Sequence, residues 1–462
     1  PFAAEVAAEE EQPESVEEQV EQVEDVPDGP PEKPFFTQKD ALKAMVECQD
    51  LKTLPFVTAE VLQLTARPDT DIDSLIQTIL RDPSLVAKIL KLGNTSFYGS
   101  RGRVQTIERA IVNIGFSGIR ELAMAVSVVN LFETRKKGHN VDRFALWNHN
   151  IACAAIARGI ATAGGTMSAE AAFVGGLLHD LGVAVLDDVF PEEYAKCTAY
   201  VRYHGVPLAP AEKAFIGIDH TEAAQEISKG WNVEERFCRV MACHHDSWSA
   251  VSDMPGENGL LVAAVKLADT LARALGEGDD CDSVVEEVPR SALRKLKVDA
   301  DQIANVRNNL GLELTELKAV FLLHESVDNK DLEKPESPEA LAGKNALIID
   351  ATDRPVDVPR IVFDNLGIAT MVAATIAKGA AERKPDFVVF RAKDEAALQA
   401  NLKQLADMSS KGLLDFPCAV ILGQNSLNGK LSSLYPEKSI VAFEEPYSVS
   451  LMRRRLIEAV KK

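Results

Sequence analysis

Of the seven cysteines, at positions 48, 153, 197, 238, 243, 281 and 418, none forms a CxxC pair, and their number is odd. A disulfide framework is excluded, and reduced thiols of a cytosolic protein are expected. A bilayer-length apolar run is missing too: the longest, Leu122–Val129 with its neighbours, falls far short of the about 18 residues a span needs. The acidic N-terminus does not read as a signal peptide. Basic residues gather only in Arg135-Lys136-Lys137 and Arg453-Arg454-Arg455, which read as solvated helix faces. Neither duplex nucleic acid nor an anionic membrane is an expected partner, and the chain is expected to be soluble and cytoplasmic.

What is present is a long, mildly acidic chain. With 462 residues, 46% of them hydrophobic, it has material for two or three domains. Residues 1–34 hold twelve acidic residues and one lysine, so −11 of the net −20 sits there and −9 on the other 428. That segment has almost no large apolar side chains to offset the entropy of ordering, and it is expected to be a disordered acidic tail. A second polar stretch, 326–343, with Pro335 and Pro338 among charged residues, reads as a linker.

Between these stretches the pattern is helical. Asp82-Pro83 offers a capping carboxylate and a first-turn proline, and Leu85, Ile89 and Leu92 follow at helical spacing up to Gly93-Asn94. Asp71 and Asp73 open another helix, and similar stripes run over 107–114, 119–131, 146–160 and 171–186. No strand-like alternation interrupts them. An all-α domain is expected over 35–325, with an N-terminal bundle at about 35–132 and a second subdomain at about 140–325. After the linker, short apolar runs at 346–349, 387–390, 419–422 and 440–443 alternate with helical stretches at 360–366, 395–408 and 449–460. This predicts a smaller α/β, flavodoxin-like domain with a parallel sheet over 344–462.

Five of the eight histidines and two aspartates have the residue types and placement of a divalent-metal site: His149, His179 with Asp180, His220, His244-His245, and Asp269. His149 lies on the apolar face continued by Ala152, Ile156 and Ile160. In Gly175-Gly176-Leu177-Leu178-His179-Asp180, the glycines let a neighbouring backbone approach, and adjacent side chains project about 100° apart along a helix. A buried His-Asp pair must be satisfied. A metal ion does this; so does a polar network with His149 and Asp269, and the sequence leaves both open. His244-His245 also suits a helix end, where histidines favour the C-terminal carbonyls.

Residues 50 to about 270 resemble an HDOD domain, the HD-related output domain. Carrying the resemblance, in order, are Leu54-Pro55 with Leu62 and Leu64, the Asp82 to Asn94 segment, Ala110-Ile111 to Gly115, Trp147-Asn148-His149, Gly176 to Gly182, His220, Trp231 and His244-His245. It implies a helical HD-like fold used for bacterial signalling without established enzymatic activity, with His149, His179, Asp180 and Asp269 as metal ligands and His220, His244 and His245 as second-site ligands. The related HD-GYP phosphodiesterases carry Gly-Lys after the HD pair, whereas Val183 follows Gly182 here, and His244-His245 runs on into Asp246-Ser247-Trp248 without the GYP signature. The phosphate then lacks a cationic cradle. The C-terminal unit resembles a response-regulator receiver. Asp350 and Asp353 match its acidic pair, but Arg391 stands at the phosphoacceptor position and Glu445 at the lysine position, so phosphorylation is not expected; Asp394 is a weak substitute.

The reading is a non-catalytic bacterial regulatory protein that binds a signalling protein or a small ligand such as a nucleotide, with a divalent transition metal as the one cofactor in question. The competing reading is a metal-dependent HD-type phosphohydrolase acting on nucleotides. Cyclic-dinucleotide binding finds no arginine-rich motif.

Overall fold

The computed structural model describes residues 26–48, 56–95 apart from 66, 68 and 70, 104–130, 140–321 apart from 232, 340–349, 356–373, 385–392, 403, 418–423, 439–443 and 446–461. Most of the acidic tail and the 326–339 stretch lie outside these residues, as do Asp350, Asp353, Asp394, Glu445, the Arg135–Lys137 triplet and almost all of the expected 395–408 helix.

The helical part opens with α1 (Gln38–Glu47), α2 (Phe56–Thr65), α3 (Ile72–Ile79), α4 (Pro83–Gly93), α5 (Ile107–Ile114) and α6 (Phe116–Asn130). It continues through α7 (Arg143–Gly164), α8 (Ala169–Leu178), α9 (Leu181–Val189), α10 (Pro191–His204), α11 (Leu208–Phe215), α12 (His220–Gly230), α13 (Glu235–Cys243), α14 (Trp248–Asp253), α15 (Gly256–Leu275), α16 (Arg290–Leu296) and α17 (Ala300–Phe321). Local chemistry sets the starts. Asp82 accepts from the Ser84 and Leu85 amides at 2.9 and 3.1 Å, with Pro83 in the first turn. Asp142 caps α7 in the same way through Phe144 and Ala145, and Asp219 with Glu222 forms a reciprocal capping box on α12.

Helix α6 gathers α2 to α5 and lies on α8. α1, expected within that N-terminal bundle, packs on α12 instead, and the Phe35 amide ahead of it donates to the Phe215 carbonyl at 2.7 Å. The central element is α7. Its alanines 152, 154, 155 and 157, all buried, keep its surface low enough for α8, α15 and α17 to pack around it.

The single stripe expected over 171–186 is two helices. The chain leaves helical geometry at Asp180 (φ −99°, ψ 19°), between α8 and α9. An unbroken helix would hold the side chains of His179 and Asp180 about 100° apart, and the break lets both face one pocket. By length and composition the run Ala169–Val189 could cross a membrane, but 89% of its apolar window is buried inside the protein. Two glycines set the approach distances. A Cβ on Gly176 would lie 2.7 Å from Ala154 Cα, and one on Gly182 would collide with the His220 carbonyl oxygen.

A strand that the sequence pattern did not suggest, β1 (Val284–Val285), interrupts the helices. It pairs antiparallel with β7 (Tyr447–Ser448), far along the chain, so no local hairpin pattern marks it. The C-terminal unit holds β2 (Asn345–Ile349), α18 (Val358–Asn365), β3 (Ala369–Ala373), β4 (Phe387–Ala392), β5 (Cys418–Gly423), β6 (Ser439–Phe443), β7 and α19 (Val449–Lys461). Five strands form one parallel sheet in the order β3-β2-β4-β5-β6. Consecutive residues Leu347-Ile348 and Val388-Val389 are all fully buried, so these inner strands are covered on both faces. α18 packs on α15, and α19 packs on α10.

Candidate metal centre

The site collects where α7, α8, α12, α13 and α15 meet. His149 comes from the second turn of α7, His179 closes α8, Asp180 occupies the break, His220 opens α12, His244 closes α13 and Asp269 lies on α15. All six are at most 3% exposed. Buried Arg143 fixes the start of α7 against the end of α9 through Asp187 and Asp188, at 2.9 and 2.7 Å.

Three imidazoles are oriented through Nδ1. His179 Nδ1–H donates to the Gly176 carbonyl at 2.7 Å, and His244 Nδ1–H to the carbonyls of Val240 and Met241 at 3.2 and 3.1 Å. A carbonyl can only accept, so these protons sit on Nδ1 and leave each Nε2 to face the pocket. His220 Nδ1 lies 2.6 Å from Glu212 Oε2. Glu212 is fully buried, and it also accepts from the His220 amide at 2.8 Å and from the Tyr194 hydroxyl at 2.7 Å. A carboxylate behind an imidazole is the usual outer support of a metal-binding histidine.

Asp180 stands between two groups of ligand atoms. Its Oδ2 lies 3.1 Å from His179 Nε2 and 4.0 Å from His149 Nε2, while its Oδ1 lies 3.2 Å from His244 Nε2 and 3.7 Å from His220 Nε2. Asp269 Oδ1 lies 3.0 Å from His149 Nε2 and 3.7 Å from His179 Nε2. Within each of two sets, His149-His179-Asp269 and Asp180-His220-His244-His245, the ligand atoms lie within 4.8 Å of one another. His245, partly exposed, has its ring centre 4.1 Å from that of His244, the rings tilted by 47°.

The charges are strongly coupled. Burial pushes His220 down, but the Glu212 carboxylate outweighs it and holds the imidazole up at about 9. Burial likewise opposes charge on His149 and His179, and the carboxylates of Asp280 and Asp180 respectively override it and raise both. His244 and His245 are lowered, chiefly by burial. Against their own burial, Asp180 and Asp269 are held well below the carboxylate range by His179 and Arg273.

These residues fit a metal ion on one observation. The Nε2 atoms of His220 and His245 are buried without a hydrogen-bond partner, and those of His179 and His244 meet only the Asp180 oxygens, at 3.1 and 3.2 Å. An unpaired buried polar atom costs about 1–3 kcal/mol, and a cation shared by these nitrogens and carboxylate oxygens relieves them together. A set of imidazole nitrogens and carboxylate oxygens suits a divalent transition ion.

The structure thus brings His149, His179, Asp180, Asp269, His220, His244 and His245 into one neighbourhood. Sequence reasoning missed Glu212, Tyr194, Arg273 and Asp280. Arg273 alone left a signal, four residues after Asp269 on the same helix face, and its Nη1 lies 3.1 Å from Asp269 Oδ2. Glu212 is an acid in an ordinary amphipathic stretch. Val183, where a phosphate-binding lysine would stand, is fully buried.

The HDOD domain family matches residues 51–247, a span that holds every ligand candidate except Asp269. Residues 51–247 are an HDOD domain. An HDOD domain protein of unknown function from Geobacter sulfurreducens has a similar crystal structure, with 25% identity and a TM-score of 0.52 over 62% of this chain and 99% of that one. An uncharacterised protein of Treponema pallidum (strain Nichols) is 26% identical over 269 residues, 58% of this chain and 50% of that protein, so the chain spans about half the length of that relative. The HDOD match ends just past His244-His245, and α15, which carries Asp269, completes the pocket from beyond it.

Proposed function

We propose that this chain is a bacterial regulatory protein that works by binding. Its HDOD pocket holds a divalent transition-metal ion, and its C-terminal unit is a receiver-like domain that takes no phosphoryl group. The observation that carries the reading is enclosure. His179 and His244 are 0% exposed, and His149, Asp180 and His220 are 1% exposed. Hydrolysis of a nucleotide requires its phosphate to reach metal-bound water, and with His245 the one ligand candidate that is partly exposed, the remaining ligands are sealed from a bulky anion. Arg273, a cation beside the pocket, is already committed to Asp269 and to Asp280 Oδ2 at 2.6 Å.

Two features support the C-terminal reading. The strand order is the doubly wound order of the flavodoxin type. Arg391 stands near the end of β4, where a receiver carries its acceptor aspartate, and without that carboxylate there is no nucleophile for phosphoryl transfer. Signalling through a protein partner in the cytoplasm is the role such a pair of units suits.

The test is elemental analysis of the purified chain alongside a panel of nucleotide substrates. About one or two equivalents of a transition metal per chain, lost in His179→Ala, with no phosphate release from either protein, is the expected result. Metal-dependent phosphate release abolished by His179→Ala would replace this reading with a hydrolase.

A further inference from the structure

Every ligand considered so far comes from a helix or its immediate end, but one more carboxylate reaches the pocket from an irregular segment. Asp280, 2% exposed, places Oδ2 3.7 Å from His149 Nε2, and with His149 and Asp180 it forms a third set of atoms close enough to share an ion. The same oxygen accepts from Arg273 Nε at 2.7 Å. The segment is pressed against α7: the Asp279 amide donates to the Ala145 carbonyl at 3.1 Å, and Gly278, at φ +75°, has no room for a Cβ beside the His149 backbone. Cys281 follows at φ 68°, a conformation that a side-chain-bearing residue keeps only when its surroundings hold it there.

The other end is held partly by the helical part, where Arg202 donates to Asp279 Oδ2 at 2.9 Å and the Leu208 amide to Asp282 Oδ2 at 3.2 Å, and partly by the C-terminal unit. Three residues after Cys281, β1 begins its pairing with β7, and the Val449 amide donates to the Ser283 carbonyl at 2.8 Å. Ser283 Oγ lies 2.9 Å from Ser448 Oγ and 2.8 Å from Ser450 Oγ. Nearby, Arg454 donates to the Tyr203 carbonyl at 3.0 Å and lies over the Tyr203 ring. A pairing of two residues per strand is weak alone, so this edge of the contact can open even where α18 stays packed on α15.

We propose that the C-terminal α/β unit gates the metal centre: docked through β1–β7, it pins residues 278–285 over the pocket and keeps the ion in, and undocked, it lets Asp280 swing away and the ion exchange. This rests on the pocket being a metal centre. The gate needs no phosphorylation, since anything that competes for β7 and α19 opens it.

The experiment compares the full chain with its Val449→Pro/Arg454→Ala variant. Proline replaces the donor amide at the first position of α19, where a helix tolerates it. Both proteins are loaded with Zn²⁺, release to excess chelator is timed, and hydrogen exchange is followed over 278–285 and 446–461. The variant is expected to exchange faster in both stretches and to release zinc about tenfold sooner, within the usual range of coupling between sites. In an Asp280→Asn background, undocking is expected to add less than about twofold, because the gate is already broken. If exchange rises over 446–461 while zinc release and exchange over 278–285 stay as in the wild type, the gate does not exist. Should the double variant stay docked, Ser283→Glu with Ser448→Glu sets like charges across the same contact and is read the same way. A wild-type chain that takes up no zinc overturns the metal reading alone, and the exchange at 278–285 then decides the coupling.

Discussion

At the residue scale, the pocket depends on side chains that would never touch an ion. Glu212 fixes which nitrogen of His220 carries the proton, and Tyr194 fixes Glu212. Glu212→Gln is expected to weaken metal binding by about 10- to 100-fold with little change in helix content, measured by chelator competition and circular dichroism. An unchanged affinity would mean that His220 is not a ligand. The same pair predicts opposite responses to pH. His220 is raised to about 9 from an ordinary 6.5, so in the metal-free protein its stabilising share is complete below 6.5 and lost as pH rises towards 9. Metal binding displaces that proton, so the loaded protein is favoured by the same rise. Melting temperatures of stripped and loaded protein should diverge between pH 6.5 and 9; parallel curves would sink the assignment. The histidines and the two aspartates of the pocket were legible because such residues are rare on apolar helix faces. Glu212 and Asp280 were not, since acids are common and only tertiary packing makes these two buried.

At the element scale, the helices announced themselves through caps and stripes, but the break at Asp180 did not. Leu177, Leu178, Leu181, Val183, Val185 and Leu186 are apolar straight across it, and nothing local separates one long buried helix from two. The break follows from a demand that two neighbouring polar side chains share a pocket, a tertiary cause. β3 was missed for a related reason: Ala369-Thr370-Met371-Val372-Ala373 is not a continuous apolar run and lies at the sheet edge, with Val372 44% exposed. The approach of α9 to α12 is the tightest constraint near the site. Gly182→Ala must push the His220 carbonyl away, which is expected to cost about 1–3 kcal/mol or more by denaturant unfolding and to reduce metal stoichiometry. A variant as stable and as metal-loaded as the wild type would show that α12 can shift freely. At the start of α7, Asp142→Ala should cost about 1 kcal/mol through the lost cap, without altering metal content.

At the scale of the whole molecule, the division into a helical part and a later strand-rich part was visible as a change of hydrophobic period, whereas the contact between them was not. Pairing of Val284–Val285 with Tyr447–Ser448 spans more than a hundred and sixty residues, and no periodicity within either segment encodes it. His149 and Asp269, whose side chains meet, are 120 positions apart. An ion shared by them would staple a long stretch of polypeptide into a closed ring, and ring closure of that size is costly to hold by packing alone. Stripping the ion should therefore do more than empty a hole. The helix ends that carry the other ligands, those of α8 and α13, would start to fray together, and a protease would find them before any spectroscopic change in helix content was large.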